Sequence, residues 1–241
     1  MLFKRIKFQG GTSMSKLPSY QLIRSHRQSI AIYITKEATL EVRAPKNVSQ
    51  AEIDRVVASK QDWINKHLPR VKENLANKEA FTLDYNQKVL LQGKEYPIRA
   101  QAGEFAGFDG EQFYLPPHLS AAEIKGIMIK LYKKIAKEKL TNRTRQLAKA
   151  MAVAPSAIKI NSARRRWGTC SNKGSINFSW RLIMADDEVI DYIIVHELAH
   201  IKELNHSHKF WRIVEEVLPD YRVRLTKLRN FEKRLASENW D

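Results

Sequence analysis

Residues 196 to 211 read HELAHIKELNHSHKFW, and they carry more chemistry than the rest of the chain together. On an α-helix, His196 and His200 stand one turn apart on the same face. Both imidazoles can then reach a single metal ion, with Glu197 beside the coordination position left open. The chemistry this points to is zinc-assisted hydrolysis. A catalytic zinc takes three protein ligands and keeps a fourth position for water, so the two helical histidines need a third partner. With zinc in place the pKa of its water falls from about 15.7 towards roughly 7, Glu197 can take the proton, and hydroxide can attack a carbonyl or phosphoryl centre. Glu197 then returns the proton to the leaving group.

His206 is the first candidate for the third ligand. Asn205 can adopt the left-handed conformation that ends a helix, which would swing the following side chain back towards the metal. Metzincins use the same interval between second and third histidines but place a glycine midway. Here that position is Glu203, so the helix is predicted to run half a turn further and to break at Asn205. Glu203 and His208 stand as rival ligands. The helix is predicted over Asp186 to Leu204, where Val189, Ile190, Ile193, Ile194, Leu198 and Ile201 form an apolar stripe, leaving the other flank to His, Glu and His.

Other elements must hold that helix in place. A long helix is predicted from about Ser120 to Ala152, with Ile124, Ile127, Met128, Leu131, Ile135 and Leu140 backing the motif helix. Between them, IKINSARRRWGTCS and GSINFSWRLI read as two strands joined around Asn172 to Gly174. Arg164, Arg165 and Arg166 have two readings: a clamp for an anionic substrate, or structural partners for Asp186, Asp187, Glu188 or Asp191. Strand alternation sends Arg165 to the opposite face from its neighbours, which favours the structural or mixed role. After the motif, Phe210, Trp211, Val214, Val217 and Leu218 recur at helical spacing, stopped by Pro219, with the aromatic pair read as core packing. Tyr221 carries a hydroxyl able to stabilise an oxyanion, but nothing in the sequence turns it towards a metal. A basic C-terminal helix, VRLTKLRNFEKRLASENW, closes the chain.

In the N-terminal half, SIAIYIT and TLEVRAP alternate apolar and polar residues as a β-hairpin does. The run SQAEIDRVVASKQDWINKHLPRVKENLANK reads as one helix, capped by Ser49 with Glu52 three residues on. Strands return between Lys88 and Leu115, broken by glycines and Pro97. The start to residue 18 reads as a loosely held tail, and Met14 is an alternative first residue.

The 241 residues carry a formal charge of +16, which draws polyanions and leaves nucleotides, nucleic acid or ribosomal particles as further partners. The charge is spread over KLYKKIAKEK, TNRTRQLAK and RVRLTKLRNFEKR rather than gathered in one stretch. No apolar run approaches the roughly 20 residues needed to span a bilayer, so no membrane partner is expected. The start lacks the apolar centre of a secretory signal, and the single Cys170 leaves no internal disulfide; both fit a reducing cytoplasm.

The run RRRWGTCSNKGSINFSWRLIMADDEVIDYIIVHELAHIKELNHSHKFW, followed by LPDYR, resembles the YgjP-like metallohydrolase family, which is grouped with the SprT-like and minigluzincin zinc peptidases. The resemblance begins near Arg24 and is densest between Asn161 and Tyr221. It implies that His196, His200 and His206 are ligands of a Zn2+ cofactor and that Glu197 is the catalytic base, with no role carried onto His208. The patterning of strands and helices along the chain reads as an α+β fold, with a β-rich subdomain of one helix over 19–118 followed by a zincin-like domain over 119–241. In the peptidases this family resembles, a strand edge above the zinc holds extended substrate, and the second of the two strands above is the natural candidate. The resemblance implies a metal-dependent hydrolase and leaves the substrate open; the leading reading is a zinc-dependent metallopeptidase-like hydrolase acting on a peptide or protein. Its alternatives are a metal-dependent nucleotide phosphohydrolase and a basic nucleic-acid or ribosome-associated protein with a structural zinc.

Overall fold

The computed structural model describes residues 17–241. Most of the expected N-terminal tail, including Met14 as an alternative start, lies outside the described residues. The chain divides into two compact units between Glu79 and Ala80.

In the first unit, β1 (Gln21–Ser25), β2 (Ala31–Ile34) and β3 (Leu40–Pro45) form a sheet in the order β1-β3-β2. β2 and β3 are the antiparallel hairpin predicted from their alternation, while β1 adds parallel to β3, a strand that alternation had not marked. The predicted single helix is two, α1 (Gln50–Ser59) and α2 (Gln61–Ala80). The last turn of α1 tightens, with Lys60 N–H donating to the Val57 carbonyl three residues back at 3.1 Å, and the helix stops there. The Lys60 carbonyl then accepts from Ile64 and opens α2. Ser49 caps α1 as its sequence suggested, accepting from Glu52 N–H. Leu40, Val42 and Ala44 of β3 close a core with Ile53, Val57 and Ile64.

The second unit begins with β4 (Lys88–Leu91), β5 (Lys94–Ala100), β6 (Gly107–Phe108) and β7 (Phe113–Leu115), in the order β4-β5-β7-β6. The long helix α3 (Ala121–Ala150) follows, opened by a capping box between Ser120 and Glu123. Then come β8 (Ala157–Asn161), β9 (Gly168–Cys170), β10 (Ser175–Ser179), a 3₁₀ turn over Trp180–Met184, α4 (Asp187–Lys202), α5 (His208–Val217) and α6 (Tyr221–Leu235).

The boundary read from the sequence at 118/119 is not where the units divide. Leu90, Leu91, Ile98, Phe113 and Leu115 from the strands share one buried cluster with Met128 and Tyr132 of α3, with Trp180, and with the apolar face of α4. The Tyr132 hydroxyl, fully buried, donates to the Leu90 carbonyl at 2.6 Å and ties α3 to β4. The two-residue turn between β4 and β5 locks this arrangement. Gln92 and Gly93 both have positive φ, the geometry of a twisted hairpin turn, and their amides donate to the carbonyls of Ile183 and Met184 just ahead of α4. A Cβ on Gly93 would stand 2.8 Å from the Cβ of Asp186, so only glycine lets the turn dock at the foot of α4.

The architecture is mixed α and β: among the described residues there are six helices and three small sheets, each combining parallel and antiparallel pairs. No helix among the described residues is long and apolar enough to cross a membrane.

Candidate metal centre

Helix α4 is buried on nearly every side, and its sequence explains why it is held in place. Asp186 caps it, its carboxylate accepting from Val189 N–H at 2.8 Å. Ile194, Val195 and Leu198 are fully buried, each contributing roughly 1.5–3 kcal/mol of apolar burial. Arg143 of α3 grips Asp191 with both arms of its guanidinium, Nε to Oδ1 at 2.6 Å and a terminal nitrogen to Oδ2 at 2.7 Å. His196, Glu197 and His200 therefore project from a rigid element.

One ring nitrogen from each of His196, His200 and His206 lies within 4.8 Å of the other two. His196 Nε2 faces His206 Nε2 at 3.0 Å. His200 donates from Nδ1 to the Glu203 carbonyl at 3.1 Å, which leaves its Nε2 lone pair free for a cation. Phe210, fully buried, sits beneath all three rings, with centroid distances of 4.9, 4.5 and 4.7 Å to His196, His200 and His206. The sequence reading treated Phe210 as core packing; it is that, and it is also the wedge that spaces the imidazoles. Trp211 lies parallel to His206, and Tyr221 lies parallel to Trp211, which accounts for Tyr221 without a place among the ring nitrogens.

The donor set suits a divalent cation. Burial, with the two neighbouring histidines second, holds the His196 imidazolium off down to about 3, and burial also lowers His200. Neutral imidazoles are the form that coordinates metal. His196 Nδ1 is buried without a hydrogen-bond partner, so its ring is oriented by packing against Tyr192, Phe210 and Trp211 rather than by a second polar group.

The route to His206 differs from the expected one. α4 ends at Lys202, and Glu203 caps it with extended backbone, φ −142° and ψ 110°. Asn205 is not among the residues with positive φ. His206 returns instead through a bend over Leu204 and Asn205. That bend is closed by Ser207, whose N–H reaches the Asn205 carbonyl at 2.7 Å and whose hydroxyl caps α5. Of the rival ligands, Glu203 offers its carbonyl to His200, and His208 is the exposed first residue of α5; neither joins the histidine group.

Glu197 is 6% exposed, and burial pushes its carboxyl up to about 7. It lies under β9: a Cβ on Gly168 would stand 2.5 Å from Glu197 Cγ and 2.6 Å from Oε1. Glycine at 168 is therefore the space in which the Glu197 side chain sits. Gly168→Ala is expected to displace that carboxyl and to lower turnover about 100-fold, since misplacement on the 1 Å scale costs that much. Unchanged far-UV circular dichroism beside the loss would locate the effect at the site; full activity would show that Glu197 can work from elsewhere.

Burial of Glu197 has a thermodynamic counterpart in metal-free protein. A carboxyl raised from its ordinary 4.5 to about 7 binds its proton more tightly in the folded state, so stability is lost as pH rises through that window. Glu197→Gln removes this loss. Its advantage over the wild type is expected to be absent near about pH 4, to grow through the window, and to level off on the order of 3 kcal/mol. Urea unfolding of both metal-free proteins across pH checks it; a pH-independent difference would contradict it.

The segment read as one strand over 158–171 is β8 and β9 separated by a bend at Arg164 and Arg165, so alternation does not set the arginine directions. Arg164 Nε pairs with Asp241 at 2.7 Å. The acids expected to pair with the arginines are taken by others: Asp187 by Lys139, Asp191 by Arg143 and Arg224, and Glu188 by Lys227. Arg166 lines the cleft that holds the histidines, about 330 Å³, together with Gly168, Thr169, Cys170, Glu197 and Leu204. The strand expected to hold substrate is also revised. β10 is the centre of its sheet, parallel to β8 and antiparallel to β9, so both its edges are used. The free edge beside the cleft belongs to β9. A larger cleft of about 600 Å³ lies between α3 and α4, but Lys139, Arg143, Asp187 and Asp191 in its wall are already paired.

Fold and site together define a mixed α/β protein built around an HExxH helix, with a three-histidine cluster able to hold a metal. The chain belongs to the YgjP-like family: residues 28–231 match the model of the YgjP-like metallopeptidase domain. Membership implies a divalent metal and a metallopeptidase-like hydrolase. No curated protein matches the chain. Among solved structures, the metallopeptidase zymogen abylysin of Pyrococcus abyssi is 25% identical, covering 42% of this chain and 97% of its own with a TM-score of 0.36. The zymogen jannalysin of Methanocaldococcus jannaschii is 21% identical, covering 39% and 96% with a TM-score of 0.35.

Proposed function

We propose that the protein is a zinc-dependent peptidase in which His196, His200 and His206 hold the metal and Glu197 is the catalytic base. The observation that carries this reading is the convergence of three imidazole nitrogens within 4.8 Å in one cleft with the buried Glu197 carboxyl. When bound, zinc supplies Lewis acidity, polarising a carbonyl oxygen and making water a better proton donor. Glu197 takes a proton from the attacking water and delivers it to the leaving amine, so one carboxyl serves both steps. The edge of β9 pairs with an extended stretch of the substrate and lays it across the cleft. An open cleft lined by histidines and a carboxylate suits catalysis better than a closed, cysteine-rich structural site.

The test is incubation of the zinc-loaded protein with an unfolded protein substrate, followed by mass spectrometry of the products. Cleavage by the wild type that disappears on chelation and returns with zinc supports the reading. Phosphate or pyrophosphate release from a nucleoside triphosphate, with the polypeptide untouched, would replace it with phosphohydrolysis.

A further inference from the structure

We infer that Arg166 is the receptor for an oxyanion on the substrate, a carboxylate or phosphate group held beside the bond under attack. This rests on the hydrolase reading above and adds what that reading does not specify, the charge class of the substrate.

The loop that carries Arg166 is anchored on both sides. Ala163 N–H donates to the Asn161 side chain at 3.0 Å, and the Ala163 carbonyl accepts from the Ser179 hydroxyl at 2.7 Å. The Ser162 carbonyl accepts from Arg181, and Arg164 pairs with Asp241. On the other side, the Trp167 carbonyl accepts from Ser179 N–H at 2.9 Å, and the Trp167 indole donates to Glu232 at 2.9 Å while packing on Phe231. Held this firmly, the loop presents an Arg166 guanidinium that has no hydrogen bond or ion pair among the described residues.

Arg166, whose side chain is exposed, is the one arginine or lysine lining the histidine cleft among the described residues. The neighbouring arginines show that the loop does not lack for structural partners: Arg164 and Arg181 share Asp241 at 2.7 Å each. Glu197, the carboxylate in the same cleft, forms no ion pair with Arg166, so the guanidinium does not disable the base. An unpaired guanidinium offers a planar fork of donors that matches a carboxylate or phosphate with two parallel hydrogen bonds. Beside it, Leu204 is 61% exposed and gives the rim an apolar wall, so a ligand with one anionic end and one apolar flank fits the lining.

The experiment compares zinc-loaded wild type, Arg166→Ala, Arg166→Lys and Arg166→Glu on matched substrates. These are peptides whose residues flanking the cleaved bond are acidic, neutral or basic, a peptide with a free or amidated C-terminus, and a nucleoside triphosphate. Equal zinc content and circular dichroism establish that the variants are folded. The wild type is expected to favour an anionic substrate over its neutral twin by about 10-fold or more in kcat/KM. Arg166→Ala should erase that preference mainly through KM, Arg166→Lys should keep part of it, and Arg166→Glu should turn it towards the basic peptide. Dependence on Arg166 confined to acidic or free-C-terminal peptides identifies a carboxylate; dependence confined to the nucleotide identifies phosphate and overturns only the peptidase reading. Cleavage of acidic and neutral peptides at equal rates, unaltered in Arg166→Ala, overturns this inference and leaves the peptidase standing. No turnover of any substrate by the zinc-loaded wild type overturns both.

Discussion

His196→Ala is expected to lower the metal content of the purified protein by more than about 100-fold in affinity and to take hydrolysis with it. Loss of an outer-shell partner alone costs metal sites about 10- to 100-fold, and this substitution removes a ligand. His196 is the member of the cluster with least freedom to be replaced. Its ring lies 5.0 Å from that of His200 and 4.9 Å from that of His206, centroid to centroid, and it is oriented by packing. Neither Glu203 nor His208 lies in the group that could take its place. Metal analysis after equilibrium dialysis checks the affinity, and thermal unfolding of the metal-free variant separates loss of a ligand from loss of the fold. Undiminished zinc binding would mean that the metal sits elsewhere.

Glu197→Gln should do something different: abolish turnover while keeping the metal. The amide preserves the shape of the side chain under Gly168 but cannot accept a proton, and general acid–base catalysis is worth about 10²–10⁴-fold. The proposed ligands are untouched, so zinc stoichiometry should match the wild type. The contrast between the two variants carries the assignment of roles. Were Glu197 itself a ligand, its replacement would weaken metal binding as His196→Ala does. Were the metal structural, Glu197→Gln would leave every function unchanged.

Much of this site was legible in the chain because it is local. His196 and His200 share a face through helical periodicity alone, and the apolar stripe from Val189 to Leu198 required that helix to be buried. What sequence could not supply was the path from Lys202 to His206. The sequence offered a left-handed Asn205 as the device that ends the helix; instead α4 stops at Lys202 with Glu203 as its cap, and Ser207 opens α5. Ser207 both caps α5 and closes the bend. The signal was present, since Ser207 stands three residues ahead of the apolar spacing that begins at Phe210, the interval of an N-cap. Gly168 was out of reach for another reason, and so was the choice between the clamp and structural readings of Arg166. Their importance comes from contacts across the fold, Gly168 with Glu197 and the Arg166 loop with Ser179, Glu232 and Asp241, and no periodicity encodes such pairings. The same holds for the strands over 88–115. Their short alternating runs look self-sufficient, yet Leu90, Phe113 and Leu115 are buried against α3 and its neighbours.

The central claim is that one metal is held by His196, His200 and His206. X-ray absorption at the zinc edge of the purified, zinc-loaded protein tests it most directly. The account predicts a first shell of nitrogen and oxygen at about 2.0–2.1 Å with the outer-shell scattering of imidazole rings, and loss of that signal in His196→Ala. A sulfur contribution at about 2.3 Å, which only Cys170 or a methionine could supply, or an imidazole signal unaltered by His196→Ala, would contradict it.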